Sequence, residues 1–376
     1  MATTPSYLDA AAKTIKEVIA PNAIAVDRDA AYPRDGMMAL GRAGLLGLVS
    51  AKDVGGMGEG LRAAAQVVEQ VGAACGSTGM VLCMHYCAVW LLEKHGPRAT
   101  REAIAAGNHI TTLAFSEVGS RSHFWVPLSS ATEDPAGGVR LNANKSFATS
   151  AGEADSYVWS SKPLHAEGLS TIWLVPGKAP GLSFPSAFDG LGLRGNSSGP
   201  IKAVDVVVPR AAMLGADGDG FELAQANLVP WFLILASACY IGITESATTK
   251  AGAHVVGTQF AHLSQALVQL PTIRAFLAQM RIKTDMARAF LLDTLSAMEE
   301  GRPDAQLRVL QIKAAVGEIA TEVTELAMRI CGGAAFRKEV GLERHFRDAR
   351  AATVMSPTTD VLYDLVGKAI AGLPLF

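Results

Sequence analysis

Across residues 309–330 the apolar side chains Val309, Ile312, Val316, Ile319, Val323, Leu326 and Ile330 recur at alternating steps of three and four. That spacing puts all of them on one stripe of an α-helix, while Lys313, Glu318, Glu322, Glu325 and Arg329 fall off the seam. A stripe unbroken for about three heptads is covered by neighbouring helices rather than by water. The pattern predicts a long helix packed in a bundle. Further helical text runs from Gly220 onward, and Pro271 opens one segment at a first turn, where its missing N–H costs nothing.

The rest of the chain differs in period. Up to about residue 107 it is rich in Ala and Leu at helical spacing, broken at Pro21, Pro33 and the Gly55-Gly56-Met57-Gly58 cluster. Near His109 the composition turns to β-branched and aromatic residues. Candidate strands are 110–116, 139–142, 157–160, 171–175 and 202–208. Asp134-Pro135-Ala136-Gly137-Gly138 forms a hairpin turn, and Pro209 closes the strand region. The expected division is a helical domain at 1–109, a β domain at 110–212 and a helical domain at 213–376.

Composition narrows the function classes. Charged residues make up 18% of the 376-residue chain, against about 25% in an average globular protein. With a mean hydropathy of +0.24, this implies surface covered by other subunits, most simply of a homo-oligomer. A net charge of −2, with no run of Lys or Arg beyond a pair, gives no basic stripe for nucleic acid. Cys75, Cys83, Cys87, Cys239 and Cys331 lack the density of a disulfide framework and fit reduced thiols in a cytoplasmic protein. Cys83, His85 and Cys87 cannot converge on a metal from a regular helix, since the middle residue points away. Residues 1–6 show no signal-peptide pattern. The uncharged stretch 223–244 contains Gln225, Asn227, Pro230 and Ser237, which favours a buried helix over a membrane span.

Gly190-Leu191-Gly192-Leu193-Arg194-Gly195 satisfies the G-x-G-x-x-G pattern. A dinucleotide loop needs a strand before it and a helix after it. Here a strand follows, so no helix N-terminus is available for a pyrophosphate.

Glu343-Arg344-His345-Phe346-Arg347-Asp348-Ala349, followed by Ser356-Pro357-Thr358, resembles the C-terminal signature of the acyl-CoA dehydrogenase family, E-R-x-x-R-D-A and then E-G-T. Leu113-Ala114-Phe115-Ser116-Glu117-Val118-Gly119-Ser120-Arg121-Ser122-His123 is similar to the family's x-T-E-P-x-x-G-S-D loop, and Lys145-Ser146-Phe147-Ala148-Thr149-Ser150 to its K-x-W-I-T-N. Leu191-Gly192-Leu193-Arg194-Gly195 fits its G-(I/L)-R-G loop. Ile330-Cys331-Gly332-Gly333-Ala334-Ala335-Phe336, with Arg329 near the usual Gln, resembles its Q-x-x-G-G-x-G-(Y/F). The family's R-x-x-F-G motif has only a weak counterpart at His254-Val255-Val256-Gly257-Thr258-Gln259-Phe260.

The resemblance covers nearly the whole chain. It implies an α+β fold with an N-terminal helical domain, a small central β-barrel and a C-terminal four-helix bundle, assembled as a homotetramer or homodimer. It implies FAD, contacted by Leu113, Phe115, Ser116, Ser122, Phe147, Thr149, Arg329, Gly333 and Thr358. The substrate implied is an acyl thioester meeting Ser122, Trp231 and Ser356, with an electron acceptor that the residues do not identify. Serine and threonine hydroxyls suit the polar edge of a flavin, and an aromatic plane suits its ring.

One departure concerns chemistry. Removing a proton α to a thioester needs an ionised base within hydrogen-bond reach, and the family's glutamate is here Ser356. A serine hydroxyl is no base unless another group deprotonates it. The alternate base position, in Leu228-Val229-Pro230-Trp231-Phe232, holds no carboxylate either. Glu245, further along, suits a solvated helix face. Remaining candidates are His85, His123, Tyr240 and Asp360. Three readings follow: a dehydrogenase with an atypical base, a flavin-dependent monooxygenase of the same fold, and a catalytically altered flavin-binding paralogue.

Overall fold

The computed structural model describes residues 6–120, 123–262 and 264–375. Its N-terminal third is helical around one buried rod, Gly76–His95. Nearly every side chain from Gly76 to Leu92 is buried, because this helix is apolar all round and is enclosed by other elements. Leu61–Ala74 packs beside it and meets the Val229–Gly257 helix closely. Glycine makes that approach possible: a Cβ on Gly242 would fall 2.2 Å from the Glu69 carbonyl oxygen.

Eight strands form the middle of the chain: β1 (Thr111–Ala114), β2 (Ser130–Glu133), β3 (Val139–Ala148), β4 (Ser156–Ser161), β5 (Thr171–Pro176), β6 (Leu182–Ser183), β7 (Gly199–Val208) and β8 (Met213–Leu214). They make two four-stranded sheets, in the orders β1-β4-β5-β8 and β2-β3-β7-β6. Val139, Leu141, Trp159, Trp173 and Val206 share the core of this region. Among the described residues neither sheet closes on itself, so the expected small barrel is corrected to a pair of open sheets. Register shifts at 141/143 and 145/148 bend β3. The sheets are joined by an isolated bridge between Glu117 and Lys145. The Asp134–Gly138 turn does make a hairpin, but its first arm is β2, a short strand absent from the expected set.

The C-terminal region packs Val229–Gly257, Pro271–Glu299, Ala305–Cys331 and Thr359–Ala371 together. Six of the seven stripe residues in the third helix are buried and Ile319 is half-buried. Among the described residues one helix, Gly220–Gly257, is long and apolar enough to cross a membrane, and 83% of its apolar window is buried inside the fold.

The E-R-x-x-R-D segment ties the three regions together. Arg347 grips Asp27 with two nitrogens at 2.8 and 2.5 Å, and Asp348 accepts the Leu193 amide at 2.6 Å. Arg344 donates to the Ala74 carbonyl at 3.2 Å. The G-x-G-x-x-G glycines serve packing here: a Cβ on Gly192 would lie 2.2 Å from the Arg347 carbonyl oxygen, and one on Gly195 2.3 Å from Val26.

Candidate functional site

A cavity open to solvent lies where the three regions meet. Met84 reaches it from the Gly76–His95 helix, and Leu113, Phe115 and Ser116 from the end of β1. Phe147 comes from β3, while Ser356 and Pro357 come from the turn before the last helix. Leu228, Val229 and Phe232 complete the wall with Phe124.

Local sequence explains the placement. Phe147 is 67% exposed although it is a large aromatic on a strand. It follows the register shift after Lys145, and a bulge of that kind re-aims a side chain. Leu228 and Val229 sit where a π turn, Ala224–Leu228, passes into α-helix. Such π turns recur at functional sites.

A buried ion pair braces the Ser116 and Phe147 segments. Lys145 donates to Glu117 at 2.6 Å and to the Ser160 carbonyl at 2.7 Å. Glu117 also accepts the amides of Leu128 and Ser129 at 2.5 and 2.9 Å. Burial pushes the Glu117 carboxyl up, but Lys145 and these donors outweigh it and hold it below the usual carboxylate range. Burial pulls Lys145 down to about 8 against the opposing pull of Glu117, so both groups are charged at neutral pH.

Five of the residues singled out from sequence therefore converge: Leu113, Phe115, Ser116, Phe147 and Ser356. Ser122 lies outside the described residues. Thr149 is buried and pairs with the Ser198 hydroxyl at 3.0 Å. Thr358 caps the last helix, its hydroxyl accepting the Val361 amide at 3.4 Å. Arg329 lies over the Phe276 ring at 4.6 Å, and it and Gly333 are not part of this cavity wall. Trp231 is buried and stacks on Trp90 with ring centres 4.5 Å apart, while its neighbours Val229 and Phe232 face the cavity. Lys94 sits 4.8 Å from the Trp90 ring and donates to Asn227 at 2.6 Å. No local pattern announces that stack, because its two rings are 141 residues apart.

The candidate bases fare unequally. His85 is fully buried. Its Nδ1 accepts the Thr111 amide at 3.2 Å, so Nε2 carries the proton and donates to the Leu46 carbonyl at 3.1 Å. Burial lowers its pKa to about 4, which makes it a neutral core residue. Tyr240 is buried, and burial drives its phenol well above the ordinary value. Asp360 is exposed in the first turn of the last helix. His123 is exposed, directly before Phe124 of the cavity wall, with its ring 5.1 Å from Trp125. Glu245, expected on a solvated face, instead bridges Arg281 and Arg288 at 2.8 Å each. Among the described residues that line the cavity, none is a carboxylate, imidazole or ammonium.

The donor set fits a flavin. An exposed aromatic, an apolar wall and the Ser116 hydroxyl offer a face for a planar ring and a donor for its polar edge.

The acyl-CoA dehydrogenase N-terminal domain matches residues 4–107, the middle domain residues 112–206 and the C-terminal domain residues 218–371. The short-chain specific acyl-CoA dehydrogenase of Homo sapiens mitochondria is 28% identical over 350 residues, covering 91% of this chain and 83% of its own. Butyryl-CoA dehydrogenase from Megasphaera elsdenii superposes with a TM-score of 0.90 at 22% identity over 99% of both chains. FMN-bound TdsC from Paenibacillus sp. A11-2 gives a TM-score of 0.87 at 22% identity over 98% of both. With all three of its domains present in order, the chain belongs to the acyl-CoA dehydrogenase family of flavin-dependent oxidoreductases.

Proposed function

We propose that the protein is an FAD-dependent oxidoreductase that oxidises an acyl thioester at the Cα–Cβ bond. The observation that carries this is the convergence of Leu113, Phe115, Ser116 and Phe147 with Ser356 on one apolar cavity. FAD, when bound, supplies the hydride acceptor. Phe147 and Ser116 would hold its ring, and the apolar wall would keep water from the acyl group. Ser356 stays neutral and offers a hydroxyl where the family has a charge. The α-proton then needs another base, and among the described candidates His123, directly before Phe124 of the wall, is exposed rather than buried.

The lining favours a second reading: a cavity with no ionised base among its described residues also suits a monooxygenase using reduced flavin and oxygen. Anaerobic addition of a series of acyl-CoAs to the FAD-loaded protein separates the two. Bleaching of the flavin by an acyl-CoA is expected. No bleaching, with oxygenated product formed once a reductase supplies reduced flavin and air is admitted, would overturn the first reading.

A homodimer or homotetramer is part of the proposal. Ile282, Met286, Phe336, Tyr363 and Ile370 are large apolar side chains left exposed on one protomer. Arg329 and Gly333, away from this cavity, would serve the flavin of a neighbouring subunit. The proposal places the protein in the cytoplasm, in keeping with five free, buried cysteines, and in lipid metabolism, in keeping with the acyl-thioester substrate proposed above.

A further inference from the structure

Lys313 lies within the apolar stripe's own helix yet is only 1% exposed. Its ammonium donates to three backbone carbonyls, those of Ala352 at 3.1 Å, Met355 at 2.9 Å and Pro357 at 2.8 Å. Three N–H groups thus meet three acceptors, which satisfies the charged form in full. The acceptors belong to the end of the short helix Ala351–Val354 and the turn that follows it. Carbonyls at a helix end have no intrahelical partner and need a donor. A neutral core side chain would leave them buried and unpaired, at a cost that makes a buried lysine worth keeping.

The position of those carbonyls matters more than their number. Met355 and Pro357 flank Ser356 on either side, and Ser356 and Pro357 form one wall of the cavity. The Lys313 ammonium therefore fixes the peptide units before and after the side chain that replaces the family's glutamate. Burial pulls its pKa down to about 7, while the three carbonyl acceptors at 2.8–3.1 Å favour the charged form, the one that can donate to all three at once. The Ala305–Cys331 helix that carries it is anchored by its stripe, so the clamp has a rigid base.

We propose that Lys313 is a positioning residue that holds Ser356 and Pro357 against the bound acyl group, acting through the backbone of the turn at 355–358. The inference takes the cavity to be the reaction site, and so rests on the function proposed above. Lys313→Met keeps the length and packing of the stem while removing every donor. In the FAD-loaded variant, amide hydrogen exchange across 351–362 should rise about tenfold while β3 and β7 keep wild-type rates. Flavin content should be unchanged and kcat with acyl-CoA should fall on the order of 100-fold, more than KM changes.

Wild-type exchange across 351–362 would overturn the proposal, as would faster exchange spread evenly over the whole chain. Should Lys313→Met not fold, Lys313→Gln, with two donors on a shorter arm, takes its place under the same readouts. Failure of both to fold would make Lys313 a general stability residue and overturn the assignment. If the wild type oxidises no acyl-CoA, the thioester reading fails on its own, and the exchange pattern still decides the clamp.

Discussion

Replacing Lys145 with Met tests whether the pair with Glu117 braces the cavity. The ammonium gives up bonds to Glu117 at 2.6 Å, the Ser160 carbonyl at 2.7 Å and the Ser160 hydroxyl at 3.2 Å. It also leaves the face of Trp159, whose ring centre is 4.8 Å away. Glu117 remains charged and buried, still held by the Leu128 and Ser129 amides and the Ser129 hydroxyl. Breaking a buried pair from one side costs about 3–5 kcal/mol. Three surviving donors place Lys145→Met near the low end, about 3 kcal/mol. Glu117→Gln should cost more, about 4–5 kcal/mol, since its amide nitrogen cannot accept from the backbone donors and the ammonium, though still bonded to Ser160, is left inside without a counter-charge. The double variant removes both charges, so its loss should fall short of the summed single losses by about 2–3 kcal/mol. Urea unfolding of the four proteins at a fixed flavin concentration measures this cycle. Ser116 precedes Glu117 directly and Phe147 follows Lys145 by two residues, so each single variant should also bind FAD more weakly. Losses that add within about 0.5 kcal/mol, or a Lys145→Met cost below about 1 kcal/mol, would refute the reasoning.

Three other outcomes are expected. Ser356→Glu restores a carboxylate to the wall and should speed anaerobic flavin bleaching by acyl-CoA at least about 10-fold, and no gain in stopped-flow traces would count against Ser356 facing the reacting carbon. His123→Asn should lower kcat about 100-fold or more with flavin content intact, and wild-type turnover would remove His123 as the base. Asp348 is held neutral more readily than a free carboxylate, burial raising its pKa from 3.8 to about 6. Its stabilising contribution is therefore complete below about pH 3.8 and is lost as pH rises through about 6, a change of about 3 kcal/mol. Asp348→Asn keeps an acceptor for the Leu193 amide, so the variant should lack this term, and denaturation curves that differ from wild type by a constant amount between pH 4 and 7 would exclude the effect.

The elements that repeat a period were legible in the sequence, and those made by distant meetings were not. The stripe from Val309 to Ile330 and the proline at 271 marked two bundle helices. Strand patterning found β1, β3, β4, β5 and β7, but missed the two-residue strands β6 and β8 and also β2, whose Ser-Ala-Thr-Glu text carries little β-branched or aromatic signal. The openness of the sheets depends on which edges pair, and no single strand encodes that. At the site, Leu113, Phe115, Ser116, Phe147 and Ser356 were found because each sits in a local motif. Lys313 reads as a polar residue off the stripe, since its three acceptors lie 39 to 44 residues later. The neutrality of His85 could be known only from the Leu46 and Thr111 backbone around it.

Arg347 on Asp27 and Asp348 on the Leu193 amide are mechanical fastenings, made several residues before the position that decides the chemistry. Assembly and reaction are thus written in separate letters of one signature. A lineage could exchange the residue at 356 and leave the fastenings untouched, and a new reaction could arise on this scaffold without a less stable ancestor between old and new.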